Sequence, residues 1–246
     1  MESFRIQIAG LVTQVQPLYE TTAVYCRNYL TDKMPAFEIS ITEEDLAFEQ
    51  RMLDIEAREE RMKLRRFTGP FLERTAIQRK IAEELLKHGT LLMHGSTVGL
   101  DGAAYLFTAT CGTGKSTHTR LWREVFGDRA VMINDDKPFL KIGNDGVVAC
   151  GSPWSGKHGL DHNIGLPLKG ICILRRGAVN RIRRINPEEA KDMVYHQCQG
   201  TADAGLQERI CTLADLMMQK IPLWEMECTK EPEAALVSYR AMSGEG

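Results

Sequence analysis

Leu106-Phe107-Thr108-Ala109-Thr110-Cys111-Gly112-Thr113-Gly114-Lys115-Ser116-Thr117 is the stretch that decides how this chain is read. An apolar run of strand type feeds a short glycine loop, and the loop opens a helix. Gly112 and Gly114 permit a tight turn with successive backbone N–H groups pointing inward. Such a nest, beside a helix N-terminus, binds anionic oxygens. In loops of this grammar the lysine reaches the β- and γ-phosphates of a nucleotide, and the hydroxyl after it is a ligand for Mg²⁺. Lys115 and Ser116 stand in those places, so Cys111–Thr117 is the candidate nucleotide-binding segment. The full pattern asks for glycine six residues before the lysine, where this chain has Ala109. Alanine is tolerated at negative φ, because a left-handed alanine costs about 1–2 kcal/mol. Thr108 and Thr110 favour extended backbone, so Ala109 is expected to end the strand with its methyl packed inward.

About twenty residues past the lysine comes Ala130-Val131-Met132-Ile133-Asn134-Asp135-Asp136-Lys137-Pro138. An apolar strand ends in two adjacent carboxylates, which suits a metal site at a strand's carboxyl end. Neighbours on extended backbone point to different sides, so one carboxylate is able to hold an ion while the other faces an attacking hydroxyl. His94 follows the apolar run Leu91-Leu92-Met93 and precedes a glycine. It is read either as a group that tunes the catalytic carboxylate or as a core histidine. Cys150–Gly159 is dense in Gly, Ser and Pro and carries Trp154, Lys157 and His158. It is a candidate substrate clamp, with Trp154 as a flat apolar wall and Lys157 meeting a phosphate or acidic group, or else a loop of ordinary turn chemistry. Arg175 and Arg176 end another apolar run, placed to neutralise a transferring phosphoryl group or simply solvated. His118, one turn into the helix, reads as solvent-facing or structural.

Working outward, Phe4–Ile8 and Phe37–Ile41 alternate as strands, while residues 19–30 read either way, with Cys26 and Leu30 at helical spacing and Thr21, Thr22 and Val24 favouring a strand. Glu43–Met62 reads as a helix capped by Thr42, with Met52–Glu56 also readable as a strand, and Phe71–Lys87 as an amphipathic helix stopped by Gly89. Then the grain changes to short apolar runs bounded by glycine: Thr90–His94, Ala104–Thr108, Ala130–Ile133, Val147–Cys150 and Gly170–Leu174. Asp101-Gly102 predicts a hairpin turn between the first two. Asn144-Asp145-Gly146 predicts another between Phe139–Ile142 and Val147–Cys150. Helices are expected at about Lys115–Phe126, Pro187–His196, Leu213–Gln219 and Pro232–Ala241. The organisation is thus residues 1–88, an α+β region of unclear role, and residues 89–246, a nucleotide-binding domain.

The 246 residues include 31 basic and 33 acidic ones, a formal charge of -2, and 43% apolar residues. This is the composition of a globule with a sizeable core. It argues against a nucleic-acid partner, which would call for a basic excess. Arg181, Arg183 and Arg184 are too few to change that. No apolar run approaches membrane-spanning length, and Met1–Gly10 lacks the regions of a signal peptide. The seven scattered cysteines include no Cys-x-x-Cys and fit reduced thiols. The reading is of a cytoplasmic protein, with homo-oligomerisation left open.

Ala109–Ser116, Asp135–Asp136 and His94 together resemble the catalytic core of the HPr kinase/phosphorylase family and the related ATP-dependent phosphoenolpyruvate carboxykinases. The resemblance covers residues 90–140; it does not extend to the first 88 residues and fades after 160. It implies an α/β fold, a P-loop kinase core of the phosphoenolpyruvate carboxykinase-like type with a mixed, partly antiparallel sheet. It implies ATP and Mg²⁺, with Lys115 on phosphate, Asp135 as the base, Ser116 and Asp136 on the metal, and His94 supporting the base. The arginine-rich signature loop of the HPr enzyme is not evident, so the resemblance does not extend to its substrate. The function expected is transfer of the γ-phosphate of ATP to a hydroxyl of an amino acid, peptide, protein or small metabolite. The alternative is an ATPase or a nucleotide-binding accessory protein.

Overall fold

The first strands form where expected and gain one unannounced neighbour. In the computed structural model, which describes residues 2–59 and 61–244, the chain divides into two units at Glu84/Leu85, inside a helix and just before the change of sequence grain at residue 88. In the first unit β1 (Phe4–Ile8) and β2 (Leu11–Gln16) form an antiparallel hairpin through Ala9 and Gly10, whose φ values are 51° and 86°. β3 (Phe37–Ser40) adds parallel to β2. Residues 19–30, open between helix and strand in the sequence, hold a short helix, α1 (Thr21–Tyr25), and a 3₁₀ turn, Arg27–Tyr29, against the strand preference of Thr21, Thr22 and Val24. The cause is tertiary. Glu73, buried, accepts hydrogen bonds from the Leu18 N–H, the Tyr19 N–H (3.3 Å) and the Thr22 hydroxyl, and so nucleates α1 against local propensity.

Two helices complete this unit, α2 (Glu43–Glu59) and α3 (Gly69–Lys87), the latter continuing into the second. Thr42 and Asp45 cap α2 reciprocally, the Asp45 carboxylate accepting from the Thr42 N–H at 3.0 Å and the Thr42 hydroxyl from the Asp45 N–H at 3.4 Å. Arg79 on α3 reaches Glu49 at 2.6 Å and Asp45 at 3.3 Å, both on α2.

The second unit is built on a mixed, partly antiparallel sheet. Its strands are β4 (Thr90–Leu92), β5 (Ser96–Leu100), β6 (Ala103–Thr108), β7 (Ala130–Asn134), β8 (Phe139–Gly143), β9 (Gly146–Cys150), β10 (Gly165–Arg176), β11 (Arg181–Ile185) and β12 (Leu223–Cys228). The path runs β4-β8-β9-β10-β6-β5-β7, with β12 beside β10 and β11 beside β12. β10 is the hub. It is antiparallel to β9 over Gly165–Pro167 and then parallel to both β6 and β12. The Asp101-Gly102 turn joins β5 to β6, not Thr90–His94 to β6 as expected; β4 pairs with β8 instead. The hairpin at residues 144–146 joins β8 and β9 as read.

Both faces of this sheet are covered, so its central strands alternate between two cores. Leu106, Ile133, Ile171 and Ile173 pack with Ala190 and Val194 of α5 (Pro187–Gln197) and with Leu213 and Met217 of α6 (Ala204–Lys220). Tyr105, Phe107, Cys172 and Leu174 pack with Leu121 and Trp122 of α4 (Lys115–Phe126) and with Ala234 and Ala235 of α7 (Glu233–Ser243). α6 begins nine residues before the expected Leu213, where the Asp203 side chain accepts from the Leu206 N–H at 2.9 Å. Among the described residues no helix is long and apolar enough to cross a membrane.

Candidate functional site

The loop between β6 and α4 starts from a fixed floor. Ala109 is fully buried, with its methyl in the core that holds Phe107 and Trp122. It is not among the described non-glycine residues at positive φ, so the alanine carries no left-handed strain. The turn begins later: Gly112 has φ 74° and Gly114 has φ 127°. A Cβ built on Gly112 would meet nothing within 4 Å, so the glycine is required by the backbone and the space beside it is open. Gly114 is also the N-cap of α4, and no side chain caps that terminus. The first-turn N–H groups therefore present themselves to whatever occupies the loop.

Two cations frame the loop. Lys115 Nζ donates to the Ala109 carbonyl at 3.1 Å. Burial lowers the Lys115 pKa, opposed by the charges of Cys111, Asp136 and Asp135. Arg176, at the end of β10, donates through Nε to the Thr113 carbonyl at 3.3 Å and through Nη2 to the Gly112 carbonyl. In a trans peptide the C=O and N–H point opposite ways. Drawing the Thr113 carbonyl toward Arg176 therefore aims the Gly114 N–H to the other side.

The adjacent carboxylates do face different sides. Asp135 is 7% exposed and accepts a 2.6 Å hydrogen bond from the Ser96 hydroxyl of β5. Ser96 Oγ lies 2.7 Å from Thr119 Oγ1, and that hydroxyl is 3.3 Å from the Ser116 carbonyl. Asp135 is thus wired to the first turn of α4. Asp136 pairs with His94, Nε2 to Oδ1, at 3.2 Å. Burial pushes its pKa up, but the His94 hydrogen bond and the charges of Lys137, His94 and Lys115 outweigh it and leave it below the usual carboxylate value. The resemblance implies His94 beside Asp135; the chain leaves β7 at Asn134 in a bend, and there it is Asp136 that meets His94.

The turn between the carboxylates and the 150–159 loop is held by Asn134, which the motif reading passed over. Its Oδ1 accepts the N–H groups of Asp136 (2.8 Å) and Lys137 (2.6 Å). Its Nδ2 faces the carbonyls of Ser152 (2.8 Å) and Trp154 (3.3 Å) and the Ser152 hydroxyl (3.0 Å). Asparagine that closes its own turn has a known sequence signature; the contacts 18 and 20 residues away do not. Trp154 is a correction: it is buried, its ring 6.5 Å edge-on from Phe139, so it packs as core rather than as an open wall. Lys157 is exposed on a 3₁₀ turn, Gly156–His158.

The arginine pair separates. Arg176 reaches the glycine loop, whereas Arg175 is held by Glu225 at 2.5 Å in an exposed network that also takes in Arg183 and Glu189. Surface pairs of this kind are worth about 0–1 kcal/mol, and this one leaves Arg175 a surface group. His118 lies outside the site. It is buried against Phe107 (4.5 Å), its Nε2 is 3.0 Å from the Ser238 hydroxyl, and burial takes its pKa down to about 3.

No family model matches this chain. No curated protein matches it either. Among solved structures, the Hpr(Ser) kinase/phosphatase from Coxiella burnetii aligns with 63% of this chain and 99% of its own length, at 13% identity and a TM-score of 0.37, a distant likeness.

Proposed function

We propose that this chain is an ATP-dependent phosphotransferase acting on a hydroxyl-bearing acceptor, a small molecule or a peptide. The observation that carries the reading is local: an open glycine loop with its lysine ends β6, and two carboxylates facing different sides end β7, with β5 alone between the two strands. The residues fit the nucleotide. The loop has room beside Gly112, an uncapped helix terminus behind it, and a half-buried lysine at its mouth. Backbone N–H groups of Gly112–Lys115 bind phosphate oxygens, and Lys115 offsets their charge. Mg²⁺, held by the Ser116 hydroxyl and one carboxylate, supplies further charge neutralisation when bound.

The resemblance makes Asp135 the base and Asp136 the metal ligand. The contacts favour the reverse. Asp135 is buried and tied through Ser96 and Thr119 to the turn that carries Ser116, the place for a metal-side carboxylate. Asp136 is more open, pairs with His94 and lies under Gly156 of the candidate substrate loop. In this reading Asp136 Oδ accepts the acceptor's hydroxyl proton, and His94 holds the carboxylate in place. The test is transfer from ATP labelled at the γ-phosphate into a fractionated cell extract. A labelled hydroxyl compound or peptide is expected. Free phosphate as the sole labelled product would replace transfer by hydrolysis.

A further inference from the structure

Asn134 is fully buried, and both ends of its carboxamide are engaged. The oxygen closes the turn that carries Asp136, and the nitrogen holds the start of the 152–158 segment. The Ser152 hydroxyl returns to the Lys137 carbonyl at 2.6 Å, so the two pieces are joined twice. That segment then crosses Asp136 at close range. A Cβ on Gly156, which has φ 67°, would lie 3.2 Å from Asp136 Cβ and 3.8 Å from its Oδ2. One amide therefore stands between the carboxylate and the turn opposite it.

We propose that Asn134 is the positioning residue for the acceptor side of the site, setting the spacing between the Asp136 carboxylate and the Gly156–His158 turn. The inference rests on the phosphotransferase reading above. Without the carboxamide, the N–H groups of Asp136 and Lys137 lose their buried acceptor, and the carbonyls of Ser152 and Trp154 lose their donor. The turn relaxes while the glycine loop, on another strand, stays as it was. A misplacement of about 1 Å at a reacting group costs roughly 100-fold in rate. A purely structural asparagine would instead change stability and leave the catalytic constants alone, or change them together.

Two variants separate the halves of the amide. Asn134→Asp keeps lone pairs facing the two N–H groups and removes the donor to the loop; Asn134→Ala removes both. Each is compared with the parent for turnover of γ-labelled ATP with water as acceptor, for MgADP affinity by calorimetry, and for amide exchange at Asp136 and Lys137. MgADP affinity and the KM for ATP are expected to stay within about threefold, as binding and chemistry separate. The kcat is expected to fall roughly 100-fold in Asn134→Ala, with a smaller fall in Asn134→Asp. The two amides should exchange faster in Asn134→Ala only. A kcat within twofold of the parent in either folded variant overturns the proposal, as does a KM for ATP that rises in step with the fall in kcat. If Asn134→Ala does not fold, Asn134→Asp decides by the same criterion. If the parent neither binds MgADP nor turns over ATP, the phosphotransferase reading has failed separately. Amide exchange then decides for Asn134, with unchanged exchange at Asp136 and Lys137 overturning its role.

Discussion

His94 Nε2 lies 3.2 Å from Asp136 Oδ1, while the neighbouring carboxylate of Asp135 is held by Ser96 on the other side of the backbone. Two adjacent acids thereby acquire different environments, one more open and paired with an imidazole, the other buried behind the start of α4. That difference sets the first test. Asp136→Asn is expected to lower turnover by roughly 100-fold or more, the range for a lost general base, with MgATP affinity nearly unchanged. Asp135→Asn should instead raise the Mg²⁺ concentration needed for half-maximal turnover. Metal titrations and turnover in both variants check this, and the opposite pattern would restore the roles that the resemblance implies.

Arg176 and Arg175 are neighbours with separate fates. Arg176→Ala removes two hydrogen bonds to loop carbonyls, and MgATP affinity is expected to drop about fivefold, close to 1 kcal/mol once solvent exposure is allowed for. Arg175→Ala removes only an exposed pair with Glu225 and should leave affinity within about twofold. Calorimetry on both variants measures the contrast; equal losses would contradict it.

Ala109 occupies the place of a motif glycine without strain and with its methyl in the core. Ala109→Gly is therefore expected to leave MgATP affinity within a few-fold. A tenfold gain, about 1.4 kcal/mol, would mean that the methyl obstructs the site, and it would favour an accessory nucleotide-binding role.

His118 supplies a pH dependence with a definite sign. Its pKa falls from 6.5 to about 3 on folding, through burial. Between those values the unfolded chain binds the extra proton, so the contribution is fully present above the unfolded pKa and is lost as pH falls toward the folded one. From pH 7 to pH 5 the loss is about 2 kcal/mol, at about 1.4 kcal/mol per unit. His118→Leu should remove that slope. Denaturant melts at the two pH values test it, and a variant with the parent's slope would contradict the assignment.

Much of the second unit was legible because its signals are local. The α4 boundaries follow from Gly114 and Gly127, and the hairpins from Asp101-Gly102 and residues 144–146. β5 was not legible: the apolar run before the hairpin is Thr90–His94, and Ser96, Thr97 and Gly99 interrupt any such run, yet all five residues are buried between β6 and β7. α1 stayed ambiguous in the sequence because the buried acid that anchors it, Glu73, lies more than fifty residues away. The loop, the carboxylates and His94 could be named from spacing, but their pairing could not. Which side each acid faces is decided by β5, and which arginine reaches the loop by the alternation of β10 beside β12, a strand the pattern did not mark.

The most direct measurement is isothermal titration of MgATP into the parent and into Lys115→Ala. The expected result is one site per chain in the parent and a loss of at least tenfold in the variant, about 1.4 kcal/mol or more. No binding heat in the parent, or equal affinity in the two proteins, would contradict the assignment of Cys111–Thr117 as the nucleotide site and with it the phosphotransferase reading.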